Sequence, residues 1–197
     1  SYTGDGNTAI GYDCMTSCST GGSNTAVGYQ AGEQITTGSE NTLMGIVAGD
    51  EITTGIQNTV IGSDALGACA TGNYNTALGK GALQVYTGSQ NTALGRSALG
   101  SCTTGAGNVS VGYNSQQSTT TGANNTSVGM NCLQNNTTAS DNTAVGSGAM
   151  DQCTTGGGNV AVGNNALDAI TTGMRNVAIG SYALSAAQTN NHTIAIG

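Results

Sequence analysis

Short apolar triplets, each opened by asparagine and closed by glycine, recur along the whole chain at a spacing of seventeen residues. Asn24-Thr25-Ala26-Val27-Gly28 and Asn142-Thr143-Ala144-Val145-Gly146 are examples. β-Branched and aliphatic residues fenced by turn formers predict a short strand. The position before the glycine reads Ile10, Val27, Met44, Ile61, Leu78, Leu94, Val111, Val128, Val145, Val162, Ile179 and Ile196, a column of large aliphatics. Its chain neighbour reads Ala9, Ala26, Leu43, Val60, Ala77, Ala93, Ser110, Ser127, Ala144, Ala161, Ala178 and Ala195, mostly small. Consecutive strand residues point to opposite faces. The pattern therefore predicts that both faces are covered, one inside the coil and the other against partner chains. A competing expectation is that the small column faces solvent, which Ala and Ser tolerate. A second small-large pair follows in most units, as in Ala65-Leu66, Ala82-Leu83, Ala98-Leu99, Ala166-Leu167 and Ala183-Leu184.

The punctuation is as regular as the apolar columns. Glycine stands at Gly11, Gly28, Gly45, Gly62, Gly79, Gly95, Gly112, Gly129, Gly146, Gly163, Gly180 and Gly197, seventeen apart except for one step of sixteen. Four positions earlier stand Asn7, Asn24, Asn41, Asn58, Asn75, Asn91, Asn108, Asn125, Asn142, Asn159 and Asn176, with Thr193 closing the series. The unit reads N-T-A-V-G-x-x-A-L-x-x-[I/C]-T-T-G-x-x. It is too short for a helix pair, and Gly and Asn at fixed offsets would break any helix. The repeat predicts an all-β fold, a parallel β-solenoid of about twelve windings forming one domain over residues 1–197. Windings stacked at the ~4.8 Å spacing of paired strands would make a rod roughly 55–60 Å long. The glycines are expected at corners needing positive φ, and the asparagines in a side-chain ladder joining winding to winding.

Composition narrows the function. The chain has 33 Gly, no Pro, no Trp, no Phe and only 7% charged residues, unlike a conventional globular domain. Its net charge is −7 and its only cations are Lys80, Arg96 and Arg175. No basic stripe is present to neutralise phosphates, which argues against nucleic-acid binding. No apolar run approaches the roughly 18–20 residues of a membrane-spanning helix. A basic and apolar leader is not seen, and the first and last windings carry no polar cap, so two expectations stay open: an interior segment of a longer fibre protein, or a protomer that self-associates head to tail into a filament.

Candidate chemistry is sparse. His192 is the single histidine, too little for a catalytic triad or a His-rich metal site. Cys18, Cys69, Cys102 and Cys153 share a column with Ile35, Ile52, Tyr86 and Ile170, while Cys14 and Cys132 share that of Ala31, Ala65 and Ala166. This interchange fits buried thiols acting as small hydrophobes. Disulfides stay open for Cys14 with Cys18 and for Cys132 with Cys153, which stacking brings near each other. Cys69 and Cys102 stack about 9.6 Å apart, too far for a bridge. Glu33 with Asp50, and Asp151 with Asp168, stack in one column, where solvated charge is expected rather than a calcium or acid-base pair. Two threonine files, Thr8 to Thr92 and the Thr36-Thr37 type pairs, raise an alternative function in ice binding, although Val109, Val160 and Val177 interrupt the first. No catalytic, metal or cofactor site is expected.

The units beginning at Asn24 and Asn58 resemble the N-T-A-[IV]-G-Y-x-A-L-x-x-x-T-T-G repeats of phage and environmental tail-fibre-like proteins. More distantly, they are similar to the head repeats of trimeric autotransporter adhesins, which use a shorter unit. The resemblance spans essentially the whole chain. It implies a trimeric, parallel β-roll fibre that is extracellular, cell-surface or virion-associated. It also implies adhesion to a receptor or glycan on a cell surface.

Overall fold

The structure is a computed structural model and describes residues 4–197. Twelve three-residue strands, β1 (Thr8–Ile10), β2 (Thr25–Val27), β3 (Thr42–Met44), β4 (Thr59–Ile61), β5 (Thr76–Leu78), β6 (Thr92–Leu94), β7 (Val109–Val111), β8 (Thr126–Val128), β9 (Thr143–Val145), β10 (Val160–Val162), β11 (Val177–Ile179) and β12 (Ile194–Ile196), form one sheet in chain order. All pairs are parallel and in register, so Thr8 lies beside Thr25 and Val160 beside Val177. No helix interrupts them among the described residues. The chain is a parallel β-solenoid.

Each winding closes on its strand through a turn whose amides divide their bonds. In the second winding Glu33 and Ile35 donate within the turn, to Gln30 O at 3.3 Å and Gly32 O at 3.1 Å. Between them Gly32 and Gln34 donate to the next winding, to Ala48 O and Asp50 O, both at 3.0 Å. This alternation needs left-handed residues at two sites of the turn, and the chain places ordinary residues there, such as Asp64 and Leu66 (φ 57° and 49°) or Asn165 and Leu167 (φ 50° and 52°). A left-handed non-glycine residue costs about 1–2 kcal/mol. Burying a leucine contributes roughly 1.5–3 kcal/mol. Leu66, Leu83, Leu99 and Leu167 have no exposed surface, so burial wins at those sites.

The corner glycines all adopt positive φ, from 125° at Gly180 to 143° at Gly28. A Cβ at Gly28 would land on the carbonyl of Gly45, so both conformation and stacking exclude a side chain there.

The interior lies between the strands and these turns. Ala26, Ala77, Ala93, Ala144 and Ala161 from the strands have 0% exposure, as do the turn leucines and the Ile35, Ile52, Cys69, Cys153 and Ile170 column. The small strand column is thus the inner one, which overturns the expectation that it faces solvent. The turn pairs Ala65-Leu66 and Ala166-Leu167 bury both neighbours, which a turn permits and a strand does not. The winding with one residue fewer keeps the register, pairing Thr76 with Thr92. Tyr86 fills its interior and donates its hydroxyl to Ser89 O at 2.8 Å.

Candidate interaction face

With alanine turned inward, the large aliphatics of the same strands must point outward. Ile10, Met44, Leu78, Leu94, Val128, Val145, Val162, Ile179 and Ile196 keep between 36% and 76% of their surface open. Two residues earlier, on the same outer face, stand Thr8, Thr25, Thr42, Thr59, Thr76, Thr92, Thr126 and Thr143, with Val109, Val160, Val177 and Ile194 in the remaining windings. All of these threonines are exposed or half-buried. The result is a strip of hydroxyl and aliphatic rows without a charged residue in either row across twelve strands. Of the two covered faces expected from the pattern, one is the interior and the other lies open in the single chain.

Past the corner glycine a third exposed row borders the strip. It carries Tyr12, Tyr29, Ile46, Lys80, Arg96, Tyr113 and Met130. Tyr12 and Tyr29 stack with centroids 5.7 Å apart and planes 6° from parallel, and the Arg96 guanidinium lies 5.8 Å from the centre of the Tyr113 ring. This row escaped the sequence reading, although the repeated Gly-Tyr step at residues 11, 28 and 112 was its signal.

The asparagine file is the clasp that joins each winding to the next. Asn24 accepts from the backbone N–H of Asn41 at 3.0 Å through Oδ1, and donates through Nδ2 to Gly38 O at 2.9 Å. It therefore holds both ends of the next winding's corner. The same pair of bonds recurs from Asn7, which accepts from Asn24 and donates to Gly21, to Asn176, which accepts from Thr193 and donates to Asn190. Amide-to-amide rungs are added at several steps, as from Asn58 to Asn41 and from Asn159 to Asn142. The first threonine of each Thr-Thr pair is likewise committed, as Thr36 Oγ1 donates to Thr53 O at 3.1 Å and Thr137 Oγ1 to Thr154 O at 3.1 Å. Its partner in the pair, such as Thr37 or Thr155, is exposed.

The remaining candidates are dispersed. All six cysteines are free thiols, including Cys14, Cys18, Cys132 and Cys153, for which bridging stood open. Cys14 and Cys132 donate to strand carbonyls, Ala26 O and Ala144 O, whereas Cys18 and Cys153 donate to Gly21 O and Gly156 O. Burial pushes the Cys102, Cys132 and Cys153 thiols up to about 12. His192 is exposed, its Nε2 lying 3.4 Å from Arg175 Nη1. Burial, then repulsion from Glu51, Glu33 and Asp64, raises Asp50, while burial and Asp168 raise Asp151. Asp151 and Asp168 border an open depression of about 370 Å³ with Asn131 and Asn165. Among the described residues no three His, Cys, Asp or Glu side chains gather as a metal site, and no helix is long and apolar enough to cross a membrane.

The geometry defines a β-solenoid repeat protein with an open, uncharged sheet face. Comparison with models of protein families, with curated proteins and with solved structures returned no match.

Proposed function

We propose that the chain is the structural rod of an extracellular or virion-associated fibre, and that its outer strand face packs against copies of itself. The observation that carries this reading is the uncharged strip of open aliphatic and threonine side chains that runs along all twelve strands. Contiguous exposed apolar surface of this extent marks an association site. Twelve strands at the ~4.8 Å strand spacing, by a width of roughly 14 Å for two outward rows, give roughly 800 Å², the area each partner contributes to a standard interface. On a chain of net charge −7, an uncharged strip is also where another copy meets least repulsion. Three such strips about a common axis make a trimeric fibre. Attachment to a receptor or glycan is supported by the resemblance of the repeats to tail-fibre and adhesin heads.

The test is the assembly state of the full chain by light scattering and negative-stain microscopy, alongside a variant carrying Val128→Lys, Val145→Lys and Val162→Lys. These side chains point outward, so the variant is expected to keep its β circular dichroism and to disperse into single rods. Discrete monomers for the unsubstituted chain would overturn the reading. Ice binding is a second reading of the same strip, favoured by the open threonine row on a rigid sheet. Thermal hysteresis from monomeric chains, abolished by Thr→Lys changes in that row, would replace the fibre with it.

A further inference from the structure

One winding interrupts the apolar interior. The buried hydrophobic side chains form two separate clusters, one running from Met15 to Cys102 and the other from Cys132 to Ala187. Between them, columns held in most windings by alanine, leucine and isoleucine or cysteine carry Ser115, Gln116 and Thr119, each with 0% exposure, and the next winding follows Thr119 with buried Asn136, whose amide is bonded to the backbone of Ala139. The strands β7 and β8 add Ser110 and Ser127 to the same interior.

These polar groups satisfy each other in part. Ser110 Oγ donates to Ser115 O at 2.8 Å, and the hydroxyls of Ser115 and Ser127 lie 2.6 Å apart. Gln116 Nε2 donates to Ser127 Oγ at 2.7 Å and to Val109 O at 3.0 Å. Gln116 Oε1 and Thr119 Oγ1 are buried without a protein partner. The backbone frame runs through intact, with Leu99 N–H donating to Ser115 O at 3.0 Å and Gln116 N–H to Cys132 O at 2.9 Å. The asparagine clasp also continues, Asn125 N–H reaching Asn108 Oδ1 at 2.9 Å. What this winding lacks is a buried hydrophobic side chain to pack against its neighbours.

The stability of a stacked-repeat protein is close to a sum of single-repeat terms and nearest-neighbour terms. Here two successive neighbour terms lose their hydrophobic share, and two buried groups add the penalty of an unmade hydrogen bond. The hydrogen-bonded frame is common to every winding and does not offset the difference. We propose that this polar winding divides the rod into two cooperative units, and that the rod opens here, inside its length, as well as at its ends. The inference concerns the single chain and stands whether or not rods associate.

Native-state hydrogen exchange on the full chain tests it. The amides of Gln116 and Ser118 donate to Cys132 O and Gln134 O, while those of Leu66 and Met150 make equivalent bonds to Ala82 O and Ala166 O. The first pair is expected to exchange roughly tenfold or more faster than the second. The double change Gln116→Leu with Thr119→Ile installs the leucine of the adjacent windings (Leu99, Leu133) and the isoleucine that more distant windings carry in the second column (Ile52, Ile170). It is expected to erase the minimum and to merge two denaturant unfolding steps into one. Protection that declines only toward the chain ends would overturn the proposal, as would a minimum that survives in a folded double variant. If the double variant misfolds, the profile of the unsubstituted chain still decides.

Discussion

The interior is filled in two opposite ways. Around Leu167 the turn supplies the bulk and the strands supply space, Ala161 and Ala178 lining the inner face. Around Leu43 the roles reverse. Its Cδ1 lies 2.6 Å from where a Cβ on Gly32 would sit, and its Cδ2 lies 3.0 Å from the same point on Gly49. One strand leucine thus occupies the space left by two missing turn side chains. The difference teaches that the solenoid fills its interior by compensation between adjacent windings, not by residue type per column, as close-packed interiors require.

The sharpest way to break the comparison is Leu43→Ala, which removes a large side chain that reaches both glycine-bearing turns. A loss of about 3–5 kcal/mol is expected from denaturant titration, toward the upper end for a buried leucine because rigid backbone on both sides prevents collapse. Leu167→Ala, beside a partly open end, should cost about 2–4 kcal/mol. Equal losses at the two sites would show that the reversal carries no energetic weight.

Reciprocal exchange sharpens it further. Gly32→Leu alone overpacks against Leu43 and Ile35 and should cost about 1–3 kcal/mol. Combined with Leu43→Ala it restores the arrangement seen at Leu167, since leucine already adopts φ near 50° in that column. A double-mutant cycle is expected to give a favourable coupling of about 1–3 kcal/mol. Strict additivity would sink the volume argument.

Windings in which the turn supplies the bulk also carry cysteine in the interior, and pH probes that packing. The folded pKa of Cys102, Cys132 and Cys153 is about 12, above the ordinary 9.0. The native state holds these protons more tightly than the unfolded chain, so their contribution is complete below pH 9 and is lost as pH rises through 12. Melting temperature should fall over that window. Replacing Cys153 by Ala should make the fall shallower; an unchanged slope would argue that the thiol is not buried. The smallest effect belongs to the outer face, where Val145→Thr in a dispersed chain should change stability by less than about 0.5 kcal/mol.

Winding length, strand position and corner glycines were legible from residues alone because each leaves a rigid mark: a seventeen-residue period, a β-branched triplet, a glycine where Cβ has no room. Sidedness was not. Ala26 and Val27 are both apolar, and alternation reports that neighbours oppose each other without saying which points inward. Size decides it, since the narrow interior admits alanine opposite leucine. The left-handed leucines were equally hidden, for Leu carries no preference for that conformation and accepts it only to gain burial. The polar winding was visible as Ser115, Gln116 and Thr119 replacing the Ala-Leu pair and the Ile/Cys position, yet only the split of the hydrophobic clusters gave the substitution a meaning.

The asparagine clasp has a consequence for how such a molecule changes in size. Every Asn bonds only to the windings directly beside its own, and every strand is paired only with its immediate neighbours. Duplicating or excising one gene segment of repeat length would therefore leave all other contacts as they were. Even a segment one residue short is accommodated, with Tyr86 plugging the gap. The molecule is built like a ruler to which graduations can be added, so its reach can evolve independently of everything else about it.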